Sequence, residues 1–506
     1  MIRLKNETNK KIKLPCMQSV SVGRAYDLLR ADVREHLKTA HDELGFTYCR
    51  FHGIFHDDMD IAYKKENGQI GYHWHHIDKV FDYLLSIGMK PFIELNPMPS
   101  VIASGTQTMF WYEMNVTPPK EWDMWYDLIH NFTNHITDRY GMNEVEKWFF
   151  EVWNEPNLDC FWSGTQEEYF TMYKTSAEAV KSVNSKYKIG GPASAVAEWV
   201  VDLIDYCSKE NVPLDFVSTH LYPMDEYCRY NDREGSPYEL GEYYIETVKK
   251  TKRMVEQSSM PNLDIYWTEW NTLSTDSTAN ITFQGNTALD RLYGASCTVR
   301  NMLAVRDYCK AVSYWVVSDI FEEAKMSHTP FSGTYGLMNI KGVRKATYNA
   351  FLMLKKMCGY EIEIESDIVY PTGCGMAAAK ENGVYRILIW NNQLPEIKEQ
   401  PIWEDIIKID GINLSECIAE QAKIQKGRGS AYESWLEMGK PANPTAFEEE
   451  FLKACSKPEY TVLNMGDSIQ FSLKPDEVCY IELRKKPNDS YLAQKDLKLD
   501  EQLTTY

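Results

Sequence analysis

Residues 148–157 read Trp148-Phe149-Phe150-Glu151-Val152-Trp153-Asn154-Glu155-Pro156-Asn157. The run is aromatic and β-branched, and apolar on both faces, as a parallel strand buried on both sides is. Seven further runs of this kind stand at 16–23, 46–53, 91–97, 187–191, 215–222, 264–271 and 311–320. Helical periodicity fills the gaps. Leu29, Val33 and Leu37 recur at i, i+4 and i+8, and so do Ile77, Phe81 and Leu85, with Val80 and Leu84 widening the stripe. Trp122, Trp125, Ile129, Phe132 and Ile136 form a third stripe after Pro118 and Pro119. Eight strand–helix alternations predict a (β/α)8 TIM barrel over residues 15–340. An open doubly wound sheet uses the same right-handed βαβ units and is the competing architecture.

After residue 340 the texture changes. Residues 347–357 still read as a helix, but the runs at 384–390, 469–473 and 478–483 alternate and are separated by turns. They predict antiparallel strands of a smaller β-sandwich over 341–485. Thr445 and Glu448 form a capping box that starts a helix inside it. Residues 1–14 are expected to add a strand to this second domain. The tail at 486–506 is polar, cannot bury a core alone, and is a candidate for forming a homo-oligomer.

Composition narrows the function classes. The 506 residues carry a net charge of −19, which disfavours nucleic acid and anionic membranes, since both need basic surface. No apolar run reaches the roughly 18 residues of a membrane span. The basic start of the chain develops no apolar stretch, so no signal peptide is expected. The 12 cysteines are scattered, without zinc spacing, and read as reduced thiols in a cytoplasmic protein.

Active sites of such barrels lie at the carboxyl ends of the strands. The fourth run ends at Glu155. The seventh reads Ile265-Tyr266-Trp267-Thr268-Glu269-Trp270-Asn271 and ends with Glu269. A glutamate at one strand end is most often a solvated or ion-paired loop residue. Two of them facing one cleft are the minimum apparatus for glycoside cleavage with retention, one protonated to assist the leaving oxygen and one ionised to attack. His52 and His220, taken alone, read as satisfied core residues. His73, His75 and His76, in an expected loop, match no ligand motif, and His52 with His56 lacks a third partner; no metal and no cofactor are expected.

Trp153-Asn154-Glu155-Pro156 and Thr268-Glu269-Trp270-Asn271 resemble the acid/base and nucleophile strands of clan A retaining glycoside hydrolases. The chain is most similar to glycoside hydrolase family 39, the bacterial β-xylosidases. Arg50-Phe51-His52-Gly53 with Asp57-Asp58, the stretch from Lys90 to Glu94, Asn115-Val116-Thr117, Gly190-Gly191-Pro192, Thr219-His220-Leu221-Tyr222, Tyr314-Trp315 and Glu322-Glu323 carry the likeness. The resemblance implies Glu155 as general acid/base and Glu269 as nucleophile, with Asn154 on the sugar 2-OH. It implies that His52, His220, Tyr222, Trp315 and Glu322 or Glu323 hold the sugar, and that Arg50 lies near the nucleophile. A structural ion pair at the barrel floor is the other reading of Arg50. The resemblance further implies carboxyl groups about 5–5.5 Å apart, a small oligosaccharide substrate and a homo-oligomer, with a tetramer favoured. Three stretches depart from the family pattern. They are Asn96-Pro97, the Thr272-Leu273-Ser274 run that stands where a tyrosine usually follows the nucleophile, and the loop with Ser332 and Thr334. They leave the mechanism standing and loosen the sugar, so a related retaining activity on arabinosides, galactosides or glucosides is the alternative; an inactive carbohydrate-binding barrel is a separate one, against which the presence of both carboxylates argues.

Overall fold

The computed structural model describes residues 1–230, 233–273, 288–321, 323, 326–394 and 397–486. Glu322, Ser274 and residues 487–506 of the tail lie outside the described residues.

The eight barrel strands are Ser19–Arg24, Tyr48–His52, Lys90–Leu95, Phe149–Val152, Lys188–Ser194, Phe216–His220, Asp264–Trp270 and Ala311–Tyr314. Each pairs in parallel with its neighbours, and Ser313 of the eighth lies beside Ser19 of the first. The sheet therefore closes on itself, and the open doubly wound alternative is excluded. The first strand starts later than expected because Pro15–Met17 makes a 3-10 turn. The eighth stops at Tyr314, short of residue 320. Beyond it Trp315 N–H bonds to the Trp270 carbonyl and Val317 N–H to that of Ser21, so the apolar run continues as an irregular bridge between the two neighbouring strands.

The expected stripes face inward. Val33 and Leu37 are buried on helix Ala31–Leu44, and Ile77, Val80, Phe81 and Leu84 on helix His75–Ser86, while Leu85 is half-buried. His75 and His76 open that helix rather than lying in a loop, because Asp78 N–H bonds back to the Trp74 carbonyl. Helix Trp122–Tyr140 buries Trp125, Ile129, Phe132 and Ile136. Each such side chain contributes about 1.5–3 kcal/mol, so packing outweighs any cap in holding the ring of helices. No helix among the described residues is long and apolar enough to cross a membrane.

Inside the barrel, period-2 alternation stacks side chains in layers. Phe92, Phe149, Phe216 and Tyr266 form an aromatic layer at the amino ends of their strands, with Phe92 and Phe149 stacked at 4.9 Å. Two residues further along the strands stand Glu94, Glu151 and Ser218, all fully buried, beside Arg50. Above them come His52, Asn96 and His220 at the carboxyl ends. The aromatic layer closes the bottom, the ionic layer forms the floor of the pocket, and the polar layer lines it.

The C-terminal strands form one ten-stranded, mostly antiparallel sheet. The expected sandwich is thus a continuous sheet bent over a shared core, in which Ile387, Ile407, Phe471 and Ile481 meet. Strand Ile2–Lys11 belongs to it, antiparallel to Tyr360–Ser366 and parallel to Trp403–Ile409. Alternation divides the labour on strand Val384–Asn391: Ile387 and Ile389 enter the sheet's own core, while Leu388 and Trp390 pack with the barrel's.

Candidate active site

Glu155 stands on a bent turn after the fourth strand. Trp153 (φ 69°) and Glu155 (φ 44°) both take left-handed backbone, which side chains rarely adopt and which concentrates at functional sites. The turn is held by Glu155 N–H on the Ala193 carbonyl (2.8 Å) and by Trp153 Nε1 on that of Phe161 (2.8 Å). Burial pushes the Glu155 carboxyl up to about 7, with Arg50 opposing it.

Glu269 projects from the seventh strand. Its Oε2 lies 3.3 Å from Arg50 Nη1, and its Oε1 accepts the Tyr222 hydroxyl. Burial raises its pKa above the carboxylate norm. His220 pulls it down, Glu155 pushes it up, and Arg50 and the Tyr222 hydroxyl pull it down again. The tyrosine absent from the stretch after Glu269 is therefore supplied from the end of the sixth strand. Tyr222, singled out as a sugar ligand, touches the carboxylate itself.

His220 joins the two carboxylates. Its Nδ1 lies 2.9 Å from Glu155 Oε1 and 3.6 Å from Glu269 Oε2, and its Nε2 lies 3.2 Å from Arg50 Nη2. A guanidinium can only donate, so Nε2 carries the lone pair and the ring proton sits on Nδ1, between the acids. Burial lowers the ring to about 4, so it is neutral near pH 7. One carboxylate oxygen from each glutamate and a His220 nitrogen lie within 4.8 Å of one another. That trio could geometrically share an ion, but a cation there would stand beside the Arg50 guanidinium. His73 instead pairs with Asp60 at 3.2 Å, and His76 Nδ1 meets the Met59 carbonyl.

Arg50 combines both of its expected readings. The guanidinium is fully buried, pairs with Glu94 (2.5 Å) and Glu151 (2.7 Å) at the floor, and reaches up to Glu269. Burial opposes its charge, but Glu151, Glu94 and Glu269 more than offset this and keep it cationic. Burial likewise raises Glu94 well above the usual range. Arg50 Nη2 also donates to Asn154 Oδ1 at 3.2 Å, which leaves the Asn154 Nδ2 donors for a ligand.

The remaining expected residues line the other side. His52 is buried, and its ring lies 5.5 Å from that of Trp315. Among the described residues its Nδ1 has no hydrogen-bond partner, nor has Nδ2 of Asn96, whose Oδ1 accepts Gly53 N–H at 2.7 Å. Glu323 is raised well above the carboxylate norm by burial and by Glu269 and Glu155. Three residues escaped the sequence reading. Tyr112 holds His52 Nε2 at 3.3 Å and lies under the Arg24 guanidinium, 4.1 Å from its ring centre. Glu94 and Glu151 were visible as charges inside apolar strands. Tyr112 carried no such signal. The loop with Ser332 and Thr334 is pinned from below by buried Lys345, which pairs with Asp290 (2.7 Å) and Asp319 (2.8 Å) and bonds to the Thr334 carbonyl (2.6 Å).

An eight-stranded α/β barrel whose fourth and seventh strands deliver two facing glutamates to one buried pocket defines a glycoside hydrolase. The family model for glycosyl hydrolases family 39 matches residues 1–467, and the chain belongs to that family. It is 39% identical over 468 residues to the beta-xylosidase of Caldicellulosiruptor saccharolyticus, covering 90% of this chain and 92% of that protein. It is 32% identical over 480 residues to the beta-xylosidase of Geobacillus stearothermophilus, covering 92% of each. Among solved structures, a monomeric beta-xylosidase from Caulobacter crescentus CB15 superposes with a TM-score of 0.82 at 30% identity, over 96% of this chain and 99% of that one.

Proposed function

We propose that the protein is an exo-acting, retaining β-D-xylosidase that releases xylose from the non-reducing ends of xylo-oligosaccharides. The carrying observation is the carboxylate pair. One oxygen of Glu155 and one of Glu269 lie within 4.8 Å of each other, a close approach that favours the roughly 5–5.5 Å group separation of a retaining site over the roughly 6.5–9.5 Å of an inverting one. The two relatives named beta-xylosidase supply the sugar.

Glu269 attacks the anomeric carbon as the glycosidic C–O bond breaks, and the Glu155 proton passes to the leaving oxygen. Glu155, now a carboxylate, takes a proton from water. The water oxygen attacks the same carbon and the Glu269 ester bond breaks. The buried setting supports this division: Glu155, at about 7, is a usable acid near neutrality, while Glu269 accepts hydrogen bonds from the Arg50 guanidinium and the Tyr222 hydroxyl. Asn154 serves the 2-OH. His52, Trp315 and Glu323 hold the ring, and His220 and Tyr222 align the two acids.

Glu269→Gly tests the assignment. It should lose nearly all turnover on an aryl xyloside, and azide should restore it as the inverted glycosyl azide. Retained wild-type turnover would remove Glu269 from its role. An aryl glycoside panel that favours an arabinoside, galactoside or glucoside over the xyloside would keep the mechanism and replace the sugar. The buried free thiols of Cys16, Cys49, Cys207, Cys297, Cys417, Cys455 and Cys479 support a reducing, cytoplasmic setting. For the homo-oligomer, the measurement is sedimentation of the full chain against one truncated after residue 485; equal mass would discharge the tail from assembly.

A further inference from the structure

A second cavity, of about 470 Å³, opens beside the loop that follows the fifth barrel strand. Its volume is that of a small-molecule site, about 300–1,000 Å³. Trp199, Arg229, Tyr230, Tyr238, Tyr243 and Thr247 are among its walls.

Three features mark it as a built site. Among the described residues, the hydroxyls of Tyr243 and Thr247 have no hydrogen-bond partner, although the two residues are only 2% and 8% exposed. An unmade buried hydrogen bond costs about 1–3 kcal/mol, so two hydroxyls in one wall favour a polar occupant. The loop itself is strained. Val196, Ala197 and Trp199 all take left-handed backbone, at φ 52°, 60° and 58°. Helix Val200–Glu210 begins at this wall without a side-chain cap, which leaves its first N–H groups as donors.

The lining chooses the chemistry. Arg229 and Lys250 are balanced by Glu198 and Asp202, and Arg229 already pairs with Glu198 at 3.3 Å, so a free ion is not selected. Flat amphipathic rings interleaved with donors and acceptors suit a neutral sugar ring. The location ties the cavity to catalysis. Asn157, two residues past Glu155, donates to the Ala195 carbonyl (3.1 Å) and to Glu198 Oε2 (3.3 Å), and accepts from Ala195 N–H (2.8 Å). The turn that carries the acid and the wall of the cavity are one hydrogen-bonded unit. The acid protonates the leaving oxygen, so the leaving group departs on this side.

The geometry points to a second saccharide-binding pocket, separate from the two glutamates, that holds a neutral pyranose unit of a xylo-oligosaccharide. The sugar class rests on the xylosidase reading; the pocket does not. In the test, the wild-type active site is blocked as its 2-deoxy-2-fluoroxylosyl ester, verified by mass, and xylobiose is then titrated by tryptophan fluorescence. The blocked enzyme should still bind xylobiose, and Trp199→Ala and Thr247→Val should each weaken that binding about tenfold or more. Thr247→Val keeps the shape of the side chain and covers the case in which Trp199→Ala misfolds. No binding to the blocked enzyme, or binding that survives both variants, overturns the inference. A chain that takes up no fluorosugar defeats the xylosidase reading alone; the unblocked protein, its two variants and the same titration then decide the pocket.

Discussion

The hydroxyl of Tyr222 donates to Oε1 of Glu269 across the carboxyl ends of the sixth and seventh strands. With Arg50 and His220 it pulls the pKa of this buried carboxylate down, against the larger upward push of burial and that of Glu155. Tyr222→Phe removes it. A hydrogen bond to a charged group is worth about 1.5–3 kcal/mol, so kcat/KM on an aryl xyloside should fall roughly tenfold to a hundredfold. The pKa of Glu269 should rise, and the acid limb of the pH profile should move to higher pH. An unmoved limb would falsify the donor role.

Glu155 should set the alkaline limb. Its carboxyl, pushed to about 7 by burial, must be protonated for the first step, so kcat/KM should decline as pH passes about 7. Glu155→Gln should abolish that limb and let an aryl xyloside with an activated leaving group stall at the glycosyl-enzyme. The same shift bears on stability. The native state binds this proton more tightly than the unfolded chain, so stability is fullest below the unfolded value and falls as pH rises towards 7. The loss is on the order of 3 kcal/mol. Denaturant titrations from pH 5 to 8 should give a shallower slope for Glu155→Gln than for wild type.

Arg50→Met leaves buried Glu151 without its 2.7 Å partner and Glu94 without its cation. Breaking a buried pair from one side costs about 3–5 kcal/mol. Unfolding free energy should drop by that order, together with most activity. A variant that keeps wild-type stability would place the cation outside the structural role.

Lys345 never reaches the pocket, yet it ties Asp290, Asp319 and the Thr334 carbonyl together beneath the rim. Lys345→Met should lower the thermal midpoint and, on the reading that this rim faces the sugar, raise KM for the xyloside more than it lowers kcat. Equal changes in both constants would argue for a direct part in the chemistry.

Much of this was legible because burial on both faces leaves long apolar runs, and the eight runs marked the eight strands. Glu155 and Glu269 stood out as carboxylates at the ends of such runs. The end of the eighth strand was not legible, since residues 315–317 keep an apolar texture while their hydrogen bonds alternate between two neighbouring strands. The role of Tyr222 was hidden for a different reason. Its sequence position says which strand carries it, but which carboxylate the ring reaches depends on the barrel's curvature. The three-way pairing of Arg50 likewise depends on strands brought together only by closure. The single bent sheet was missed because alternation reports faces, not whether two edges join.

The aromatic stopper formed by Phe92, Phe149, Phe216 and Tyr266 makes the barrel a blind alley. Traffic has one doorway. On the proposed double displacement, the departing portion of the substrate and the water that later frees the sugar must use the same mouth in turn.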